Sequence, residues 1–481
     1  GVTGVQTCAL PILVPKRLAL RVALLKEDNP SFIKPSRDED SRAYGTITFR
    51  PFANTTLRVH GERVRQEANP GITQLPWDYA TPFYVAQQQG AADAIPVTSF
   101  GTVLTSPLYV YGANDARLKL VHWRTMDYAL NYSQLPYDVA KYGTARDPNI
   151  NAARVTFNPG NLKMVPVAAA NLGRNFLGDN TENRIKSSIV NLFLEQRLFD
   201  TFTFEAGLHV ERWDRVLETL AGYSNYGFFA DINRYYPSIP WNNSANRPTD
   251  ASHVGYELNP NYGKVFTRGG LEGAWVLKRT DEYRASLLWQ PDVGRIGGRF
   301  GSWLGRHTFL ASGSTRETSE KSQGLQAKFI NENLNYQGLI GTTSATAVRR
   351  LIQFQHYYDA NRPTMERPFP NLSLHDYFGT WQMTEPTTGE VLNVAGWGHP
   401  WGSIRPNGNK VKVESLVLAW QGRLLQDHLL LSYGFRRDAA EQYPLDNTPG
   451  GPNQMALGWK WIDQIPFPSR PSVEGNNNSR T

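Results

Sequence analysis

The stretch FTFEAGLHVE, residues 202–211, decides how the rest of the chain is read. Phe202, Phe204, Ala206, Leu208 and Val210 fall on one parity, and Thr203, Glu205, Gly207, His209 and Glu211 on the other. Successive side chains of a strand point to opposite faces, so this is a strand with one apolar and one polar face. LLLSYGFR at 429–436 repeats the pattern, with Leu429, Leu431, Tyr433 and Phe435 on the apolar side and Leu430 as its one break.

Each of these strands has a partner just before it. Residues 186–197 reach 202–212 across a tight link, and residues 411–421 reach 428–438 across GRLLQD, which predicts two hairpins. SRAYGTITFR at 41–50 turns through Pro51 to Asn54 into TTLRVHGERV at 55–64, and EYRASLLWQ at 282–290 is followed by RHTFLASGSTRE at 306–317. RLALRVALLKE at 17–27 reads as a lone rising strand, which brings the minimum to nine. LKLVHW at 118–123 and RLIQFQHYY at 350–358 are further strand candidates.

The connections are unequal. Links inside the hairpins run about 4 to 15 residues, whereas those between hairpins cover 65–185, 213–281 and 318–410. Short turns therefore share one rim and very long loops the other. Strands of soluble proteins average about 5 to 6 residues, while these alternate over about 9 to 11, the length that crosses a bilayer at a tilt. The fold expected is all-β: an antiparallel up-and-down transmembrane β-barrel, incomplete within this chain. A soluble β-sandwich or propeller is the competing architecture, because half-buried strands alternate in the same way.

Composition agrees with a strand-rich chain. Of 481 residues only 19% are charged and 12% aromatic, while 41 Gly and 31 Pro interrupt the chain often. The net charge of +7 is scattered, so nucleic acid is not an expected partner. Cys8 is the single cysteine, which excludes an intrachain disulfide and a cysteine-built zinc site. No window approaches the roughly 18 apolar residues of a membrane helix, so any crossing is made by strands.

Catalytic patterns are absent. Nine histidines show no HxH or HExxH spacing, and neither a G-x-S-x-G elbow nor a P-loop occurs. GRIGGRFG at 294–301 has the wrong glycine spacing for a dinucleotide loop and reads as a flexible turn. Glu205 and Glu211 share a face but stand roughly 20 Å apart along a strand, too far for an acid/base pair. The acidic run Asp38-Glu39-Asp40 reads as a solvated connection. No catalytic residue, metal site or cofactor is expected, and the chain is not read as an enzyme.

Binding signals are better. The loop taken to begin at Trp213 holds Tyr223, Tyr226, Tyr235, Tyr236 and Trp241 among Asn and Ser, and Trp397 and Trp401 lie in the loop before residue 410. Aromatic faces beside amides suit sugar rings or aromatic chelators. The alternative is that these rings pack the long loops against one another.

In order and spacing, YGTITFRPFANTTLRVHGERV at 44–64, LNPNYGKVF at 258–266, LGRHTFLASGSTRE at 304–317 and LLQDHLLLSYGFRRD at 424–438 resemble the barrel region of a TonB-dependent outer-membrane receptor. The resemblance spans most of residues 17–440, and each segment alone is little more than a strand with a turn. It implies a ligand-gated importer in the outer membrane of a Gram-negative bacterium. Its partners would be membrane lipid, a small scarce nutrient such as a siderophore or glycan, and a TonB-type energising protein that pulls on a plug domain. The family's plug and closing strand have no counterpart in the sequence, and SVEGNNNSRT reads as a loop, so residues 13–481 are taken as part of a larger barrel. The rival reading is a secreted soluble all-β carbohydrate-binding protein or enzyme; a passive porin is a lesser variant.

GVTGVQTCALPI at 1–12 lacks an initiator methionine, and its charges, Lys16 and Arg17, follow the apolar stretch instead of preceding it as in a secretory signal. VTGVQTCALPI is similar to a translated sequencing-library adapter, so residues 1–12 are read as foreign to the barrel. The 5′ nucleotides of the gene are expected to match the adapter, and codons that depart from it would refute this reading.

Overall fold

In a computed structural model the chain forms one long antiparallel sheet. The structure describes residues 3–9, 12–70, 178–219, 227–230, 265–270, 272–295, 301, 303–327, 401–403, 405–455 and 458–480, with short strands at 77–78, 108–111, 117–121, 235–236, 257–258, 353–357, 381–384 and 391–394. Eleven strands follow one another in the sheet in chain order. They are β1 (Thr3–Ala9), β2 (Leu18–Pro30), β3 (Arg37–Phe49), β4 (Thr55–Asn69), β5 (Thr181–Leu198), β6 (Phe202–Thr219), β7 (Glu272–Trp289), β8 (Arg306–Ala327), β9 (Asn407–Leu424), β10 (Leu429–Pro444) and β11 (Val473–Arg480). Every neighbour pair is antiparallel, and β1 and β11 do not pair with each other, so among the described residues the sheet is open.

All nine strands read from the alternation are present, each longer than its periodic core. β6 runs to Thr219 and pairs along its whole 18 residues with both β5 and β7. Two strands were not expected. Val473–Arg480, taken from its Asn-rich sequence for a loop, pairs with β10 from Gln442 to Phe435. Thr3–Ala9 pairs with β2, although the opening stretch was set outside the barrel; such edge pairing asks only for an extended backbone with free N–H and C=O groups. Residues 117–121 and 353–357 are strands too, but of a separate sheet built from segments of the long connections.

The rim asymmetry also appears. Residues 50–54, 199–201, 290–305 and 425–428 turn at one end, and 70–180, 220–271, 328–406 and 445–472 connect at the other, where only the β2–β3 link at 31–36 is short. Phe199, Leu425, Gln426 and Asp427 take left-handed backbone conformations that close the tight turns. GRIGGRFG lies in the β7–β8 turn. There Gly305 has φ +66°, and a Cβ on it would meet the Arg423 carbonyl oxygen at 1.8 Å, so glycine is required by both conformation and space.

The acidic run is a correction. Asp38-Glu39-Asp40 belongs to β3, with Asp40 buried and accepting from Arg42 Nε at 2.8 Å, Asp38 accepting from Gln66 at 2.9 Å, and Glu39 facing Arg37 at 3.1 Å. Arginine and glutamine partners on the same and the next strand allow a charged run to be a strand.

The register places the apolar parity of every strand on one face. That face carries Leu18 to Leu24 on β2, Ile47 and Phe49 on β3, Leu57 and Val59 on β4, and Val190, Leu192 and Leu194 on β5. It continues with Phe202 to Val210 on β6, Tyr283, Leu287 and Trp289 on β7, Phe309 on β8, Leu416, Leu418 and Trp420 on β9, and Leu431, Tyr433 and Phe435 on β10. Its upper edge slips from one end of the sheet to the other. The last apolar residue is Leu24 on β2, in register with Ser188 and Arg212; on β10 it is Phe435, in register with Leu418, Ala311 and Phe204. Between those strands the edge descends from the level of Arg212 to that of Phe204, eight residues over eight strand steps. One residue of about 3.4 Å per strand step of about 4.8 Å corresponds to a strand tilt of about 35°, within the range of transmembrane barrels. A level band on tilted strands requires this slip.

The two faces are not shielded from solvent by a core. Ile33, Leu325, Leu445, Ile462 and Ile465 are the buried apolar side chains among the described residues, whereas Leu24, Leu192, Tyr283 and Leu418 are 39–58% exposed. In water each large side chain left outside a core forgoes roughly 1.5–3 kcal/mol. Arginine at Ala206 or Leu208 is expected to cost about 2–4 kcal/mol in urea unfolding from lipid vesicles, and arginine at Thr203 or His209 well under that; equal costs on the two faces would contradict the assignment.

Candidate functional site

The opposite face is polar, and the register joins residues far apart in sequence. His60 of β4, Asn191 of β5 and His209 of β6 stand in one row. Asn191 Nδ2 donates to His60 Nε2 at 2.6 Å, and His209 Nδ1 donates to Asn191 Oδ1 at 2.7 Å. One amide thereby fixes both rings: His60 carries its proton on Nδ1, and His209 presents Nε2 toward Glu211, 3.8 Å away. On the far side of His60 the ring of Tyr44 lies at 5.9 Å, with Arg21 5.9 Å above that ring.

The row continues as a column toward the long-loop rim, because every second residue of β6 returns to this face about 6.8 Å further on. Above His209 and Glu211 comes Trp213, with Lys278 Nζ 5.5 Å from its ring and paired in turn with Glu320 at 3.0 Å. Next is Arg215, whose Nε donates to Asn183 Oδ1 at 2.7 Å. On β7 to β10 the face carries hydroxyls and charges: Ser286 and Ser312 share a bond of 3.0 Å, and Ser415 donates to Asp438 at 2.6 Å beside Arg436. Such a surface offers water and polar solutes hydrogen bonds at every level. No group of three or more His, Cys, Asp or Glu able to hold a metal occurs among the described residues.

Trp213 was expected to open a loop and instead lies within β6, six residues before its end. The alternation fades there because Arg212 and Asp214 interrupt the apolar parity while Trp213 and Leu217 fall on the polar one. Tyr235 and Tyr236 form a short strand paired with Glu257–Leu258, and Trp401 begins a three-residue strand on β8. Tyr223, Tyr226, Trp241 and Trp397 lie outside the described residues. His60 and Asn191 were not singled out from the sequence; aligning the three strands as two adjacent pairs would have put them in one row.

No protein-family model matches the chain, and neither does any curated protein. Among solved structures the chain is similar to the ferric preacinetobactin receptor BauA of Acinetobacter baumannii, with 8% identity, TM-score 0.39, all of this chain and 42% of that one. It is also similar to the ferric-catecholate import receptor Fiu of E. coli K12, at 10% identity and TM-score 0.38 over 48% of that chain. A third is the siderophore receptor PiuA of Acinetobacter baumannii, at 12% identity and TM-score 0.37 over 45% of that chain. The chain spans less than half the length of each.

If Asn191 is the bridge, Asn191→Leu removes two side-chain bonds and leaves two ring nitrogens unpartnered, at a cost of about 1–3 kcal/mol. In ¹⁵N-imidazole spectra His60 and His209 are expected to lose their fixed tautomers together; unchanged spectra would show that the bridge does not form.

Proposed function

We propose that this chain is barrel wall from a TonB-dependent outer-membrane receptor, a non-catalytic importer of a scarce small nutrient. The observation that supports this most is the apolar face, whose upper edge slips by eight residues over the eight steps from β2 to β10. A band of that shape serves strands crossing a flat lipid layer at a tilt; a soluble sandwich instead buries its apolar face against a second sheet. Among the described residues the buried apolar side chains are few, which speaks against the rival soluble reading. Large antiparallel barrels of this transport class have about 22 strands, and the ten strands β2 to β11, whose two ends do not pair with each other among the described residues, suit part of such a wall. Lipid permits no open edge, since each unpaired backbone group there would cost several kcal/mol.

In this reading the polar column from His60 to Arg215 lines the inside, and the long-loop rim faces outward and receives the ligand. Trp213 would offer an aromatic face at the entrance, which suits an aromatic chelate. The energising partner would act through a plug domain belonging to the same receptor.

The gene's full reading frame, expressed in a Gram-negative host, tests the proposal. The product is expected to sediment with outer membranes, to require detergent for extraction, to migrate faster on gels when unheated, and to lose ligand uptake when the proton gradient is collapsed. Solubility without detergent would refute it.

A further inference from the structure

On the apolar face, the first residues beyond the band toward the long-loop rim include Arg63 on β4, Ser188 on β5 and Arg212 on β6, and these three stand in one register row. Lys186 is one row further along β5. All four line a cavity of about 800 Å³ that extends to Asp463 and Phe467. We propose that this cluster holds the phosphate of a lipid headgroup in the leaflet on the long-loop side. The proposal rests on the reading that the apolar face meets lipid.

Three arguments support it. The first is position: cations immediately above an apolar band sit at the depth of headgroup phosphates, where each Lys or Arg attracts an anionic lipid. The second is availability. Asp214 is engaged by Trp275 Nε1 at 2.8 Å, Glu317 faces Lys410 at 3.9 Å, and Arg212 shares Asp281 with Arg279 at 2.8 and 2.6 Å. Lys321 donates to the carbonyls of Ile462 and Ile465. Exposed Arg63 and Lys186 form no hydrogen bond or ion pair among the described residues, and Ser188 stands between Arg63 and Arg212 in the register row. The third is shape. Directly below Arg63, Gly61 is in register with Gly45 of β3, and two adjacent residues without side chains leave a trough in the apolar face where an acyl chain can lie.

Native mass spectrometry of the detergent-solubilised protein tests this with dioleoyl phosphatidic acid, dioleoylglycerol and inorganic phosphate. Phosphatidic acid is expected to bind at least tenfold more tightly than dioleoylglycerol. Arg63→Gln with Lys186→Gln is expected to weaken it by about fivefold for each charge removed, and Arg63→Lys with Lys186→Arg to retain it. Faster unheated gel mobility confirms that each variant is folded. Equal binding of the two lipids, full binding by the neutral pair, or displacement by millimolar inorganic phosphate would overturn the proposal while leaving the barrel intact. Loss of heat-modifiable mobility in the parent chain would instead remove the membrane reading beneath it.

Discussion

Everything in this structure follows from the need of each strand's backbone to find partners on both sides. Inside a bilayer no water is available to satisfy an N–H or C=O, so a strand is tolerable only between two neighbours, and a sheet must continue until it meets itself. The ladders of β5 to β9 meet this need without a bulge, through 17 or 18 consecutive pairs at each interface. With the backbone fully committed, side chains are free to serve two unlike solvents, one on each face.

The slip of the apolar band links local pattern to global geometry. A strand perpendicular to the membrane would carry its apolar residues at the same register level as its neighbours; a tilted one cannot. From Leu24 on β2 to Phe435 on β10 the edge descends by eight residues over eight strand steps, an average of one per step, while the aromatic rings of β6 to β10 near the short-turn end keep one row. Trp289, Phe309 and Trp420 lie in one row there, with Trp289 and Phe309 stacked at 5.2 Å, the kind of aromatic girdle that marks a membrane interface. Beyond the opposite edge the same face turns to ion pairs such as Arg212 with Asp281.

Much of this was legible in the sequence, and what escaped has a physical cause. Alternation is visible only where one face is apolar, so FTFEAGLHVE was read directly, while Trp213 to Thr219, which mixes apolar and polar residues on both parities, was taken for a loop although it continues the same strand. Val473–Arg480 has no apolar parity at all, and Asp38-Glu39-Asp40 carries charge on both sides; both are strands because the backbone of a neighbour holds them. The rim asymmetry was read correctly from connection lengths. The polar column was not, since His60, Asn191 and His209 come together only through register, which a single strand's pattern does not contain. Of the aromatic residues singled out for binding, Trp213 is placed on the polar face with Lys278 against it.

The central claim is that this face meets lipid along strands tilted by about one residue per step. Nitroxide labels on single cysteines, introduced after Cys8→Ser and read by oxygen accessibility in vesicles, measure it most directly. Ala206→Cys and Tyr433→Cys are expected to report the same depth, although Ala206 is in register with Arg437. If Arg437→Cys instead matches the depth of Ala206→Cys, or if positions 202–210 show no alternation in oxygen access, the tilted membrane-spanning sheet is wrong.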